Sequence, residues 1–185
     1  DPLFEKHIQW TPYNYVLNNS LILIDPDGKQ TFVAYGGWGS VFGGSEPNSV
    51  VSKTGMEILM EKVNNTLKNS GYTNYHTKMY YSSAFEKSEI SESFDYIKDI
   101  VDKNPGEKIF LYGYSQGGAN IIELGKKLSE NGIKVTSMYT VDAFDGNTQT
   151  AGFTISDNVD MNYNFLQMNP SDNIGSRGST NTGTK

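Results

Sequence analysis

In Lys108-Ile109-Phe110-Leu111-Tyr112-Gly113-Tyr114-Ser115-Gln116-Gly117-Gly118, five residues of buried-strand character run straight into a serine bracketed by glycines. Residues 119–128 beyond it carry apolar positions at helical spacing, closed by Asn131-Gly132. A strand, a turn too tight for side chains at Gly113 and Gly117, and a helix together form the bend that lifts a serine hydroxyl above a parallel sheet. Gly118 then lets the helix pack close. The helix start adds chemistry, because its unpaired backbone N–H groups and its dipole favour negative charge developing on an acyl oxygen. Ser115 is therefore the candidate nucleophile, and the backbone N–H of Gln116 a candidate oxyanion donor. A five-residue G-x-S-x-G match also arises by chance as a plain strand-to-helix turn; the strand before it and the helix after it give this one its weight.

Working outward, the pattern on both sides alternates. Residues 31–35, Thr-Phe-Val-Ala-Tyr, read as a short apolar strand that runs into the loop Gly36-Gly37-Trp38-Gly39-Ser40-Val41-Phe42-Gly43-Gly44. Met56, Leu59, Met60, Val63 and Leu67 predict a helix over 53–69 that stops at Gly71. Residues 76–81 read as a strand, and Ile90, Phe94, Ile97 and Val101 as a helix ending before Asn104-Pro105-Gly106. A strand over 133–141 ends on Asp142, and a weaker one is expected over 162–166. The residues from 175 to 185 are Gly, Ser, Thr and Asn without apolar period, and read as a loose tail. Alternating strands and helices imply βαβ units, hence an α/β fold of three layers around a mostly parallel central sheet.

That frame supplies partners for Ser115. In enzymes with this turn a second oxyanion donor comes from the loop after an earlier strand, so the backbone N–H of Gly37 or Trp38 is the candidate; a glycine-rich hairpin is the plainer reading of the same residues. A phosphate-cradling loop is disfavoured, because no Gly-Lys-Ser/Thr follows the glycines. The acid of a triad belongs after the serine, at the C-terminal end of a later strand. Asp142 stands there, with Asp145 as the alternate and a turn or cap as the structural alternative for either. The base is missing: no histidine follows Ser115, and the chain's two histidines are His7 and His76. His7 lies in an N-terminal appendage, and His76 opens a strand expected at the far edge of the sheet, so both read as packing or surface residues. The expectation is that the histidine lies beyond Lys185; a base from another residue or chain, or a degenerate hydrolase that binds without cleaving, are the alternatives.

The totals narrow the class. With 185 residues the chain suits one domain with appendages. A net charge of −6, with no clustered Lys or Arg, argues against a nucleic-acid partner. The absence of cysteine removes a thiol nucleophile, a disulfide framework and thiolate metal sites. No run approaches the length of a transmembrane segment, and the start lacks the regions of a signal peptide, so an acidic soluble protein is expected. The chain does not begin with Met and reads as a piece of something longer. Asp25-Pro26-Asp27-Gly28 places its glycine too early for a calcium loop, and no metal or cofactor is expected.

Residues 1–29 also carry Asp1-Pro2-Leu3, Pro12-Tyr13-Asn14-Tyr15-Val16, Asn18-Asn19 and Asp25-Pro26-Asp27-Gly28 in an order and spacing that resembles the end of an Rhs (YD-repeat) core, with Ser20 where that family usually has proline. In Rhs proteins this segment closes a β-rich shell, and a variable C-terminal toxin follows. Residues 30–185 look like a lipase-like α/β-hydrolase, on Gly113 to Gly118, Asp142 and the Gly36 to Gly39 loop, and are expected to be truncated at their C-terminus. The missing histidine departs from that pattern. The resemblance implies a secreted or delivered bacterial effector carried by a parent Rhs shell, with an ester or lipid substrate and a cognate immunity protein as partners.

Overall fold

The structure, a computed structural model, describes residues 29–37, 55–82, 88–144, 152–166 and 181–183. Residues 1–28 of the Rhs-like segment 1–29 therefore lie outside the described residues. Within them the chain runs β1 (Gln30–Gly36), α1 (Gly55–Asn69), β2 (Tyr75–Tyr81), α2 (Ser88–Lys103), β3 (Lys108–Tyr114), α3 (Gln116–Glu130), β4 (Val135–Val141), β5 (Phe153–Thr154), β6 (Val159–Phe165) and β7 (Asn181–Thr182).

Five of these strands form one sheet in the order β2-β1-β3-β4-β6, and every pairing in it is parallel. β1 is buried along its whole length, as a central parallel strand covered on both faces must be. Alternate residues of the strands divide between two cores. Val33, Tyr35, Ile109, Leu111 and Met138 join Ile90, Phe94 and Ile97 of α2 and Ile121, Leu124 and Leu128 of α3 on one face. Phe32, Ala34 and Phe110 meet Met56, Met60, Val63 and Leu67 of α1 on the other. The result is an α/β fold of three layers, with helices on both faces of the sheet.

The helices are the expected ones, and their ends have local causes. At the end of α3 Gly132 adopts φ 70, and the Ile133 N–H donates to the Leu128 carbonyl at 3.0 Å, which satisfies a helix-terminal acceptor. No helix of the described residues is long and apolar enough to cross a membrane.

α3 begins at Gln116 rather than at 119 and β4 at Val135 rather than at 133, and two further features depart from the sequence reading. β6 begins at Val159 rather than at 162. The tail is not loose throughout: Asn181–Thr182 pair in parallel with Phe153–Thr154, and the Ile155 N–H donates to the Thr182 carbonyl at 2.7 Å. Such pairing is made by backbone groups, so a polar segment without apolar period can dock in this way.

Candidate functional site

Order β2-β1-β3-β4-β6 reverses direction between β1 and β3, since the chain goes from β1 outward to β2 and then returns to the other side of β1. In open parallel sheets the crevice outside the C-terminal ends of the strands at such a switch point is where ligands bind. The segments leaving β1 and β3 there are Gly36-Gly37 and Ser115.

Ser115 occupies the turn between β3 and α3 with φ 54 and ψ −124. Only Ser115 and Asp142 among the described non-glycine residues have positive φ. A serine in this region is strained by about 1–3 kcal/mol, and the surrounding backbone must hold it there. The holding bonds are visible. The Ser115 N–H donates to the Val141 carbonyl at 2.9 Å, and the Ser115 carbonyl accepts from the N–H groups of Gly118 at 2.9 Å and Phe144 at 3.1 Å.

The flanking glycines are required by close approach. A Cβ on Gly113 would collide with the Gly117 carbonyl, and one on Gly117 would collide with the carbonyls of Tyr35 and Gly36. Gly118 lies against Ala143, whose Cβ would be 2.6 Å from a side chain added there. The start of α3 is thus pressed onto the exit of β1. Gly37 completes the contact, since a Cβ on it would lie 3.0 Å from Ser115 Cβ and 3.3 Å from the Tyr114 ring.

Of the residues singled out in the sequence, the structure brings Ser115, Gln116 and Gly37 together. Gln116 is the first residue of α3, a position whose N–H has no acceptor within the helix. Asp142 follows the last residue of β4, and its strand neighbour Val141 is in register with Tyr114 and with Phe165. It is thus one step beyond β4 as Ser115 is one step beyond β3, on adjacent strands about 4.8 Å apart. Its N–H donates to the Phe165 carbonyl at 2.8 Å, and its φ of 47 turns the chain back toward Ser115 at residues 143–144. Trp38 and Asp145 lie outside the described residues, as does His7.

His76 is far from this group. It is the second residue of the edge strand β2, in register with Thr31, and Thr31 pairs with Ile109, six positions before Ser115. At about 3.3 Å per residue the two lie roughly 20 Å apart along the strands.

Behind the crevice lies a buried polar cluster that the sequence reading passed over. Ser82, Glu89, Ser93 and Asn120 are all buried. Asn120 Nδ2 donates to Ser82 Oγ at 3.1 Å and to Glu89 Oε1 at 3.2 Å, and Ser82 Oγ donates to the Gly36 carbonyl at 2.7 Å. The Tyr35 hydroxyl donates to the Glu89 carbonyl at 2.8 Å and is bonded to Ser93 Oγ. Burial pushes the Tyr35 phenol far above its ordinary range, with the Ser93 bond acting in the opposite direction, so it remains a neutral donor. One signal was available: Asn120 stands on the apolar stripe of α3, four residues before Leu124, where a polar side chain needs buried partners.

Compared with known proteins, the chain matches no family model and no curated protein.

Proposed function

We propose that the chain is a serine hydrolase of the esterase or lipase type, with Ser115 as nucleophile. The observation that carries the reading is the strained Ser115 backbone at the switch point of the sheet, at the N-terminus of α3 and pressed against Gly37. In this reaction Ser115 Oγ attacks the carbonyl carbon of an ester while a base takes its proton. The carbonyl oxygen becomes negative and is held by the N–H of Gln116 with that of Gly37 or Trp38. The tetrahedral species collapses, the alcohol leaves with the proton from the base, and water then releases the acid by the same route and frees Ser115. Asp142 is the acid that orients the base, with Asp145 as the alternate, and the scheme requires a base that neither His7 nor His76 is expected to supply.

The resemblance of residues 1–29 to the end of an Rhs core supports the proposal that this hydrolase is the toxin of a delivered bacterial effector, acting on an ester or lipid of the recipient and neutralised in the producer by an immunity protein. No metal takes part in the scheme.

A second reading has its own observation: no histidine stands near Ser115 among the described residues, His76 being roughly 20 Å away. On that reading the domain is a hydrolase fold that binds without cleaving. A fluorophosphonate reagent applied to the chain extended past Lys185 separates the two. Labelling at Ser115, lost in Ser115→Ala, is the result expected of the hydrolase; a folded extended chain that stays unlabelled leaves the binding module. Hydrolysis of phospholipid vesicles is expected for a lipid substrate, and cleavage confined to short soluble esters would assign an esterase instead.

A further inference from the structure

We propose that the exposed side chains of Tyr114 and Phe165, with Val141 between them, form an apolar ledge that seats the acyl chain of the ester substrate. The proposal rests on the hydrolase reading of Ser115 for the substrate and on the sheet register alone for the ledge.

Among the described residues three large hydrophobic side chains are exposed, Ile58, Tyr114 and Phe165. The last two stand together. Tyr114 is in register with Val141, and Val141 with Phe165. Residues in register on neighbouring parallel strands project to the same face, so these three side chains make one row across the ends of β3, β4 and β6, about 10 Å from end to end. The row beneath it has the same geometry: Tyr112, Tyr139 and Tyr163 are in register, and the rings of Tyr139 and Tyr163 are stacked with centroids 4.9 Å apart. Tyr139, at the centre of that lower row, is 1 % exposed, whereas Tyr114 is 46 % and Phe165 51 % exposed. The lower row is thus a floor and the upper one a rim. Phe110 and Tyr112 precede Tyr114 on the face that α1 covers, but α1 packs mainly on β1 and β2 and leaves the rim beyond it open.

Both ends of the rim adjoin the proposed reaction centre. Tyr114 precedes Ser115, and its ring reaches the crevice, where a Cβ added to Gly37 would lie 3.3 Å from it. At the other end the Phe165 carbonyl accepts from the Asp142 N–H at 2.8 Å. An acyl group bonded to Ser115 Oγ therefore begins beside Tyr114 and finds an apolar path toward Phe165. The chemistry of the path selects its occupant. The strands end in Tyr112-Gly113-Tyr114, Tyr139-Thr140-Val141 and Tyr163-Asn164-Phe165, without a charge. Exposed rings and a valine are favourably covered by an alkyl chain, which leaves water as they do. An acyl chain that ends in a carboxylate is disfavoured, because the ledge offers it no cation and Asp142 follows Val141 directly.

The test compares p-nitrophenyl acetate with p-nitrophenyl decanoate, esters that share a leaving group and differ only in the acyl chain, on the chain extended past Lys185. In Phe165→Asn kcat/KM for the decanoate is expected to fall about fivefold while that for the acetate is unchanged, because only the long chain reaches the ring. Phe165→Leu, which restores an apolar surface, is expected to recover the decanoate rate. Both variants keep the backbone bond to Asp142. An unchanged decanoate rate in Phe165→Asn overturns the proposal, as does an equal loss on both esters or a failure of leucine to restore the rate. A second measurement needs neither turnover nor a variant: on titration of the unaltered chain with decyl alcohol, amide resonances of Tyr114, Val141 and Phe165 are expected to shift while those of β2 stay in place. Shifts absent from these three residues overturn the ledge. If the unaltered chain cleaves neither ester and takes no fluorophosphonate label, the hydrolase reading falls, and this titration alone decides whether the row is an alkyl-binding surface.

Discussion

At the scale of the residue, Ser115 carries a conformational cost together with the role proposed for it. Its φ of 54 with ψ −124 is the mirror image of an extended conformation, comfortable for glycine and strained for any residue with a Cβ. Ser115→Gly and Ser115→Ala both remove the hydroxyl, but only glycine relieves the strain. Glycine also makes the unfolded chain more flexible, at a cost of about 0.4–1 kcal/mol. Glycine is therefore expected to be the more stable of the two variants by about 1 kcal/mol. Urea unfolding of both, measured side by side, checks this; an alanine variant more stable than the glycine variant by about 0.4–1 kcal/mol would mean that the turn stores no strain. Both are expected to lose fluorophosphonate labelling. The pattern G-x-S-x-G announced this site, yet it said nothing of the dihedral angles. Those come from the bonds that Val141, Gly118 and Phe144 make with the Ser115 backbone.

At the scale of the element, α3 meets β1 and β3 through bare backbone. Gly117 faces the carbonyls of Tyr35 and Gly36, so a methyl group there must push the helix away from the sheet. Gly117→Ala is expected to cost about 3 kcal/mol, the upper part of the usual range for overpacking. Gly55→Ala at the start of α1, where nothing lies within 4 Å of the added Cβ, is expected to change stability by no more than about 0.5 kcal/mol. Denaturant midpoints of the two variants, with equal slopes, give the comparison, and similar values would contradict the close contact. The existence of the helices was legible from the spacing of Met56, Met60, Val63 and Leu67 in α1 and of Ile121, Leu124 and Leu128 in α3. Their ends were less so: α3 starts at Gln116, three residues before the apolar signal, because polar and glycine residues are helical wherever tertiary contacts hold them.

For the molecule as a whole, the tyrosines give a stability signature. Burial is the largest influence on Tyr35, Tyr80, Tyr96 and Tyr112, and raises all four above the ordinary value of 10.0. Below pH 10 these groups are neutral in both folded and unfolded chains, and their contribution to stability is complete. As pH rises further the unfolded chain releases protons that the folded chain retains, so stability falls progressively above pH 10. Urea midpoints between pH 8 and 11 are expected to decline only in the upper part of that range. Tyrosinate absorbance is expected to rise in two stages, the second coinciding with loss of helix by circular dichroism. A single smooth titration of all twelve tyrosines in a chain that stays folded would contradict this.

The sequence by itself determined the kinds of element, the α/β class and the serine turn, because each of these is written in local periodicity or in glycines at short spacing. Strand order was beyond it. Nothing local says that β3 returns to the other side of β1, and that choice is what sets Gly37 beside Ser115. The short pairing of Phe153–Thr154 with Asn181–Thr182 was equally hidden, being made of backbone bonds. So was the cluster of Ser82, Glu89 and Asn120, whose members are 38 and 31 positions apart from Asn120 in the chain. Buried hydrogen bonds between distant residues leave at most one polar residue on an apolar stripe as their trace, and only packing reveals the partner.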